Sequence, residues 1–313
     1  MIIKTLKQKH LLFLKGYPKK DIELILDTAF KFLEVLDRPI KKVPSLKGVT
    51  IVNLFFENST RTRISFELAQ KRLSADTVNF SASSSSLKKG ESFKDTVQNI
   101  MSMKIMMRCM RTPHLISKAL TEFIDAVVVN AGDGAHEHPT QAILDMMSLK
   151  EKFGYLRGLK IGIVGDILHS RVARSNIYGL LNMGAEVKVC GPPNLIPINI
   201  KDLGVDVTFD LDELIEWADA LNILRIQKER MGQPLIPSTR EYRLSFGITF
   251  ERLKNHKKEI IIMHPGPMNR GVEIDSKVAD SDQAIILDQV LNGVASRMSI
   301  LYCLCGGYSD EME

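Results

Sequence analysis

Residues 55–63 read "FFENSTRTR" and place a run of hydrogen-bond donors between an apolar stretch and a helix-like one. Ser59, Thr60 and Thr62 bring hydroxyls, and Arg61 and Arg63 bring planar guanidinium forks. A helix starting here would add its unpaired first-turn N–H groups and the positive end of its dipole. Together these suit an anion, and the fork of Arg61 suits a phosphate. One Ser-Thr-Arg alone would read as an N-cap beside surface charge. Five such residues in succession at a strand–helix junction favour a ligand. The stretch is not a Walker loop, because the glycines and the GK[ST] ending are missing.

A second cluster lies in "NAGDGAHEHPTQAILD", residues 130–145. His138 and Gln141 share one face if a helix begins there. His136 and His138 raise the question of a metal, but no carboxylate or third histidine follows at ligand spacing, so no metal is expected. No cofactor is expected either.

The elements that must position these residues follow from periodicity. "DIELILDTAFKFLEVL" puts Ile22, Ile25, Leu26, Ala29 and Leu33 at helical spacing, with Asp21 as its expected cap. "GVTIVNLFFE" reads as a buried strand, and "ISFELAQKRL" as a helix with Ile64, Leu68 and Ala69 on one face. "SASSSSLKKGES" is a polar loop. "FIDAVVVNAGDG" is a strand, and "HPTQAILDMMSLKEKFG" a long helix ending at Gly154. The chain then restarts with the strand "LKIGIVGD", the helix "RVARSNIYGLLNMG", the strand "AEVKVCG", the helix "LDELIEWAD" and the strands "ALNILR" and "EIIIMHPGP". "ILDQVLNGVASRMSILYCLCG" closes it as a helix. Such alternation implies an α/β fold of two domains, each a parallel sheet flanked by helices. The expected division is 1–148 and 149–285, with the helix at about 286–307 packing back on the first domain.

The bulk properties agree. A length of 313 residues suits two domains. The net charge of +5 is not gathered into Lys/Arg runs, so no nucleic-acid partner is expected, whereas small anionic substrates fit it. "HLLFLKG" is too short and interrupted for a signal peptide, and no apolar run is long enough to span a membrane. Cys109, Cys190, Cys303 and Cys305 fit neither a disulfide framework nor a zinc site, so a reduced, cytoplasmic chain is expected.

Several separated motifs, in order, resemble the transcarbamylase family. "STRTR" after an apolar strand is similar to its carbamoyl-phosphate motif, and "NAGDGAHEHPTQAILD" and "MHPGPMNRG" match two others. The loop "SSSLKKGES" and the segment "LRIQKER" resemble the aspartate branch, as does His264 followed by Pro265, Gly266 and Pro267, where the ornithine branch usually has a cysteine after the histidine. The resemblance runs along nearly the whole chain. It implies transfer of a carbamoyl group from carbamoyl phosphate to the amine of aspartate, a step of pyrimidine biosynthesis.

The resemblance also implies roles. Ser59, Thr60, Arg61 and Thr62 would hold the phosphate, Arg111 would reach phosphate and carbonyl oxygen, and His138 would donate to that oxygen. Gln141 would accept from the carbamoyl NH2, and Gly266 and Pro267 would aim backbone carbonyls at the carbamoyl and amine groups. The two carboxylates of aspartate call for arginine forks. Arg171, in the loop after "GIVGD", and Arg225, ending "ALNILR", both follow parallel strands, where open α/β sheets bind ligands, and Gln227 would assist. Ser85 and Lys89 would reach from a neighbouring subunit, which implies a homotrimer with shared active sites. A regulatory chain or a dihydroorotase partner is left open.

The chain departs from the family where Arg-His-Pro is usual: it reads "RCMRTPHLISKAL", so Arg108 competes with Arg111 for one role. Three other readings stand beside this one: a transcarbamylase for another amino acid such as ornithine, a regulatory or inactive relative, and a dinucleotide-binding oxidoreductase. "GIVGD" is half of a Rossmann turn, but the full glycine pattern and the ribose-binding acid after "AEVKVCGPP" are missing.

Overall fold

The computed structural model describes residues 6–57, 59–81, 92–103, 105, 107–112, 116–122, 124–227, 235–256 and 259–305. Ser85 and Lys89 lie outside the described residues. The chain forms two compact units: residues up to Met147 with those from Leu291 on, and residues Ser148 to Val290.

The first unit runs α1 (Lys19–Asp37), β1 (Thr50–Phe55), α2 (Thr60–Arg72), β2 (Asp76–Ser81), α3 (Phe93–Ser102), β3 (Met107–Thr112), α4 (Ile116–Leu120), β4 (Val127–Asp133) and into α5 (Pro139–Phe153). Its described strands make a parallel sheet of order β2-β1-β3-β4. Every residue of β4 is buried, as is all of β1 after Thr50, which is why both read as continuous apolar runs. Asn53 interrupts β1, and it is satisfied by a reciprocal amide pair. Its Nδ2 donates to Gln70 Oε1 at 3.0 Å, and Gln70 Nε2 donates back at 2.7 Å. This pair seats α2 on β1.

Two expectations are corrected here. Asp21 does not cap α1; the N-cap is Pro18, and Asp21 is buried in the first turn, where its carboxylate accepts from the Lys7 N–H at 3.0 Å. On α2 the buried face carries Thr62, Phe66, Ala69 and Gln70, while Ile64 and Leu68 are 49% and 38% exposed. The amide pair and Phe66 set the rotation of this helix, so its exposed apolar residues mislead a periodicity reading.

The second unit runs β5 (Lys160–Val164), α6 (Arg171–Asn182), β6 (Glu186–Cys190), β7 (Asp206–Thr208), α7 (Leu211–Trp217), β8 (Ala220–Ile223), α8 (Thr239–Phe246), α9 (Phe250–Lys254), β9 (Ile261–Met263), α10 (Ser276–Ala279) and into α11 (Ile286–Cys305), whose residues from Leu291 on count with the first unit. Its described strands form a parallel sheet of order β7-β6-β5-β8-β9. Val164, Leu214, Leu221, Ile223 and Ile262 are among its buried core. In the first unit, Arg297 of α11 is buried against α2. Its Nη1 donates to Ser65 Oγ at 3.0 Å and to Gly293 O at 2.7 Å, and its guanidinium lies 5.1 Å from the Phe66 ring centroid.

The exits of β5 and β6 touch backbone to backbone. Gly165 has φ +121°, and a Cβ on Gly191 would come within 2.4 Å of the Gly165 carbonyl oxygen. Gly191→Ala must therefore push a backbone atom aside. It should lower the stability of the second unit by about 1–3 kcal/mol, the usual cost of overpacking, read as an earlier denaturant midpoint of the purified variant. An unchanged midpoint would show that the Gly165 turn yields freely.

Candidate active site

A parallel sheet puts the ends of all its strands along one edge, and where the strand order reverses two neighbouring loops diverge and leave a crevice. In the first unit that reversal falls between β1 and β3. Phe55 lies opposite Arg111, and the Phe56 N–H donates to Arg111 O at 2.9 Å. Ser59, Thr60, Arg61 and Thr62 follow β1 directly, so they and Arg111 flank the reversal. Ser59 is the N-cap of α2, with extended φ −159° and ψ 109°, and its side chain makes no capping bond. By contrast, Ser92, Ser170, Asp210, Ser238 and Thr249 all cap their helices by accepting from backbone N–H groups. Thr62 is buried, while Thr60 and Arg61 are exposed.

Arg111 closes β3. Its Nη1 donates to Ala131 O at 3.3 Å, and its Nε lies 3.6 Å from Glu57 Oε2. Arg108 sits mid-strand, paired in register with Val52 and Val128, away from the loop edge. The backbone thus puts Arg111 nearer the loop edge than Arg108. Sequence reading passed over Glu57, although it stands inside the donor stretch.

The loop after β4 brings His138 and Gln141 to the same edge. Asp133 Oδ1 accepts from the Glu137 N–H at 2.9 Å, and Glu137 Oε2 accepts from the Leu14 N–H at 2.8 Å, so this loop is braced from both sides. His138 precedes the first residue of α5, and its carbonyl accepts from the Gln141 N–H at 3.0 Å. Both side chains are buried. Gln141 Nε2 donates to Asp145 Oδ1 at 2.9 Å, which orients the amide so that its oxygen is the end left to accept. Asp145 is one helical turn past Gln141, the only signal that could have found it. His136 Nδ1 lies 3.3 Å from Asp133 Oδ2, and the described residues hold no cluster of metal-ligating side chains.

In the second unit the reversal falls between β5 and β8. Arg171 is the first residue of α6 rather than a loop residue, with Ser170 capping the helix by accepting from the Ala173 N–H at 3.1 Å; Arg171 is buried. Arg225 and Gln227 follow β8. The two exits are tied by Asp166, whose side chain is fully buried. Its Oδ1 contacts His169 Nδ1 at 2.9 Å and accepts from the His169 N–H at 3.1 Å, and its Oδ2 accepts from the Gln227 N–H at 3.4 Å. Gln227 Nε2 in turn donates to His169 O at 3.3 Å. Gly266 and Pro267 follow β9, the next strand along the same edge. Asp166 went unread in the sequence as a tether because Gln227, the partner across the two exits, is 61 residues away.

Residues 9–151 match the family model for the aspartate/ornithine carbamoyltransferase carbamoyl-P binding domain, and residues 157–304 match the model for the Asp/Orn binding domain of the same family. The chain belongs to the aspartate/ornithine carbamoyltransferase family. It is 62% identical, over 94% of its length and 96% of the relative's, to an aspartate carbamoyltransferase catalytic subunit of Christiangramia forsetii. Among solved structures it is similar to an aspartate transcarbamoylase of Trypanosoma cruzi in complex with carbamoyl phosphate (TM-score 0.85, 29% identity, 95% of this chain and 96% of that one). It is also similar to an ornithine carbamoyltransferase of Pyrococcus furiosus (TM-score 0.84, 26% identity, 97% and 99%). Within this family, then, one overall fold serves relatives named for either amino acid, and discrimination has to reside in side chains.

The register of β3 gives a direct test. Arg111→Ala should weaken carbamoyl phosphate binding by roughly 10-fold or more, the scale of a lost charge-assisted hydrogen bond, whereas Arg108→Ala should leave it within about 3-fold. Titration calorimetry on the two purified variants reads both, and the opposite order would exchange their roles.

Proposed function

We propose that the protein transfers the carbamoyl group of carbamoyl phosphate to the amine of L-aspartate, yielding N-carbamoyl-L-aspartate and phosphate, a step of pyrimidine biosynthesis. The observation that carries the choice of aspartate is the arginine pair at the second reversal. Arg171 opens α6 after β5 and Arg225 follows β8, two strands that pair in the sheet and whose exits are tied by Asp166 and Gln227. Two guanidinium forks at neighbouring strand exits suit a dicarboxylate.

The chemistry needs little covalent help from the protein. The amine attacks the carbamoyl carbon, charge grows on the carbonyl oxygen, and the bond to the phosphate oxygen breaks. Rate then comes from orientation and from donors already aimed at the developing charge. In this reading the domain of residues 1–148 takes carbamoyl phosphate. Ser59, Thr60, Arg61 and Thr62 hold its phosphate at the start of α2, where the unused Ser59 hydroxyl supports the assignment. Arg111 and His138 stabilise the carbonyl oxygen, and Gln141, its amide turned by Asp145, accepts from the carbamoyl NH2. The domain of residues 149–285 takes aspartate through Arg171, Arg225 and Gln227, while Gly266 and Pro267 present carbonyls to the carbamoyl and amine groups.

We further infer a cytoplasmic homotrimer whose sites are completed by Ser85 and Lys89 of a neighbouring subunit, on the strength of the motif that carries them. A cytoplasmic setting suits the four cysteines, all buried free thiols. Among the described residues no helix is long and apolar enough to cross a membrane.

Two experiments test this reading. Offered aspartate and ornithine side by side with carbamoyl phosphate, the purified protein should carbamoylate aspartate; comparable turnover of ornithine would overturn the substrate assignment. The shared site is tested by complementation. Arg61→Ala should cost roughly 10²–10³ in kcat, the scale for one charge-stabilising donor, and Lys89→Ala should be similarly crippled while both still assemble. Mixed equally, denatured and refolded, the two variants should regain about a quarter of wild-type activity, because in a cyclic trimer a site is intact only where an Arg61-bearing chain meets a Lys89-bearing neighbour. Mixed trimers seen by native mass spectrometry without that recovery would refute sharing.

A further inference from the structure

Residues 264–269 leave β9 and carry Gly266 and Pro267, and from His264 to Asn269 they belong to no helix or strand. No ladder therefore fixes this loop, although two backbone carbonyls must be aimed from it. Its shape has to come from side chains.

His264 is fully buried, and its Nδ1 accepts from the Gly266 N–H at 2.8 Å. An accepting Nδ1 carries a lone pair, so the ring is neutral with its proton on Nε2. That Nε2 faces Glu273 Oε1 at 3.4 Å, a close polar contact rather than a hydrogen bond, with neither side chain exposed. The same Oε1 accepts from the Asn269 N–H at the far end of the loop. One carboxylate oxygen thus meets both ends of the segment. Glu273 is itself anchored: its carbonyl accepts from the Ile248 N–H at 3.0 Å, and the Gly271 N–H donates to Ile274 O at 2.9 Å, tightening the turn that precedes it. The His264 N–H donates to Gln289 Oε1 at 2.9 Å, which fixes the loop's start against α11. The other Glu273 oxygen, Oε2, is buried and makes no hydrogen bond.

We propose that Glu273 is a positioning residue for the transfer reaction: it clamps His264 and Asn269 together and so holds the Gly266 and Pro267 carbonyls in place. The inference rests on the reading that these carbonyls meet the substrates. Burying a carboxylate carries a desolvation penalty, and a residue that touched nothing of consequence would have an apolar replacement available. Position, not charge alone, is what this geometry uses, since a single oxygen does the clamping.

Three variants separate the possibilities. Glu273→Gln keeps an acceptor oxygen at the same reach and should retain kcat within about 3-fold. Glu273→Asp keeps the charge but withdraws it by one methylene, and Glu273→Leu removes the acceptor. Both should lose about 10²-fold in kcat, the scale expected when reacting groups shift by an ångström. Carbamoyl phosphate affinity, to which the phosphate contacts of the other domain contribute most, should fall far less than kcat, by no more than about 10-fold in the Asp and Leu variants. Independently of activity, nitrogen-15 NMR of the wild type should show His264 as the Nε2–H tautomer. Hydrogen exchange at the Gly266 and Asn269 amides should be slow in the wild type and the Gln variant and fast in the other two. A Gln variant as inactive as the Asp variant would overturn the proposal, as would full activity in the Asp and Leu variants or an Nδ1–H tautomer. If the Leu variant does not fold, the Gln and Asp pair decides. A wild type that fails to carbamoylate aspartate would instead overturn the functional reading, and tautomer and exchange would still judge the clamp.

Discussion

Phe55 stands opposite Arg111 across a parallel ladder, and much of the first unit's site depends on that pairing. Parallel strands require crossovers, and crossovers bring every strand exit to the same edge. Because β1 has β2 on one side and β3 on the other, the connections leaving β1 and β3 part company at their shared edge. The donor stretch and Arg111 flank that gap without any contact in sequence. The second unit repeats the arrangement with β5 between β6 and β8, and there the flanking residues are Arg171, Arg225 and Gln227. One backbone constraint, used twice, assembles two sets of candidate ligand-binding groups.

Backbone topology brings these groups to the strand exits, and buried polar pairs refine the rest. The Asn53–Gln70 amide pair seats α2 on β1, and Arg297 holds the same helix through Ser65 and Phe66. Burial lowers the Arg297 pKa to about 10, against the opposing pull of Cys109 and Asp145, so the guanidinium remains cationic at neutral pH. Such a charge is tolerable only because its neighbours accept from it. Asp145 orienting Gln141, Asp166 joining two strand exits and Glu273 closing the 264–269 loop follow the same logic. In each, a buried acid accepts N–H groups and fixes the direction of a neighbour that the reaction would use.

The fold by itself leaves the amino-acid substrate open, since an aspartate enzyme and an ornithine enzyme share it to nearly the same degree. Discrimination has to reside in a few side chains on a common scaffold. Two guanidinium forks at neighbouring strand exits would disfavour an ammonium-bearing side chain, which brought to the same place would meet like charge.

The sequence by itself determined the class of fold, the order of most elements and the family. Long apolar runs such as β1, β4 and β5 announce strands buried on both faces, and Gly154, with φ +83°, marks the end of α5 as its residue type predicts. It also made the candidate site residues legible, because donor clusters and short motifs are local. It did not reveal β2, a short edge strand whose apolar residues are only Val78 and Phe80, nor which face of α2 is buried. Nor did it single out Glu57, Asp166 and Glu273 as the partners that hold Arg111, Gln227 and His264. Asp166 and Gln227 meet across 61 residues, and a polar contact at such separation leaves no trace in local spacing. Only the closed tertiary structure decides these, because a buried acid is stable solely where the fold delivers its donors.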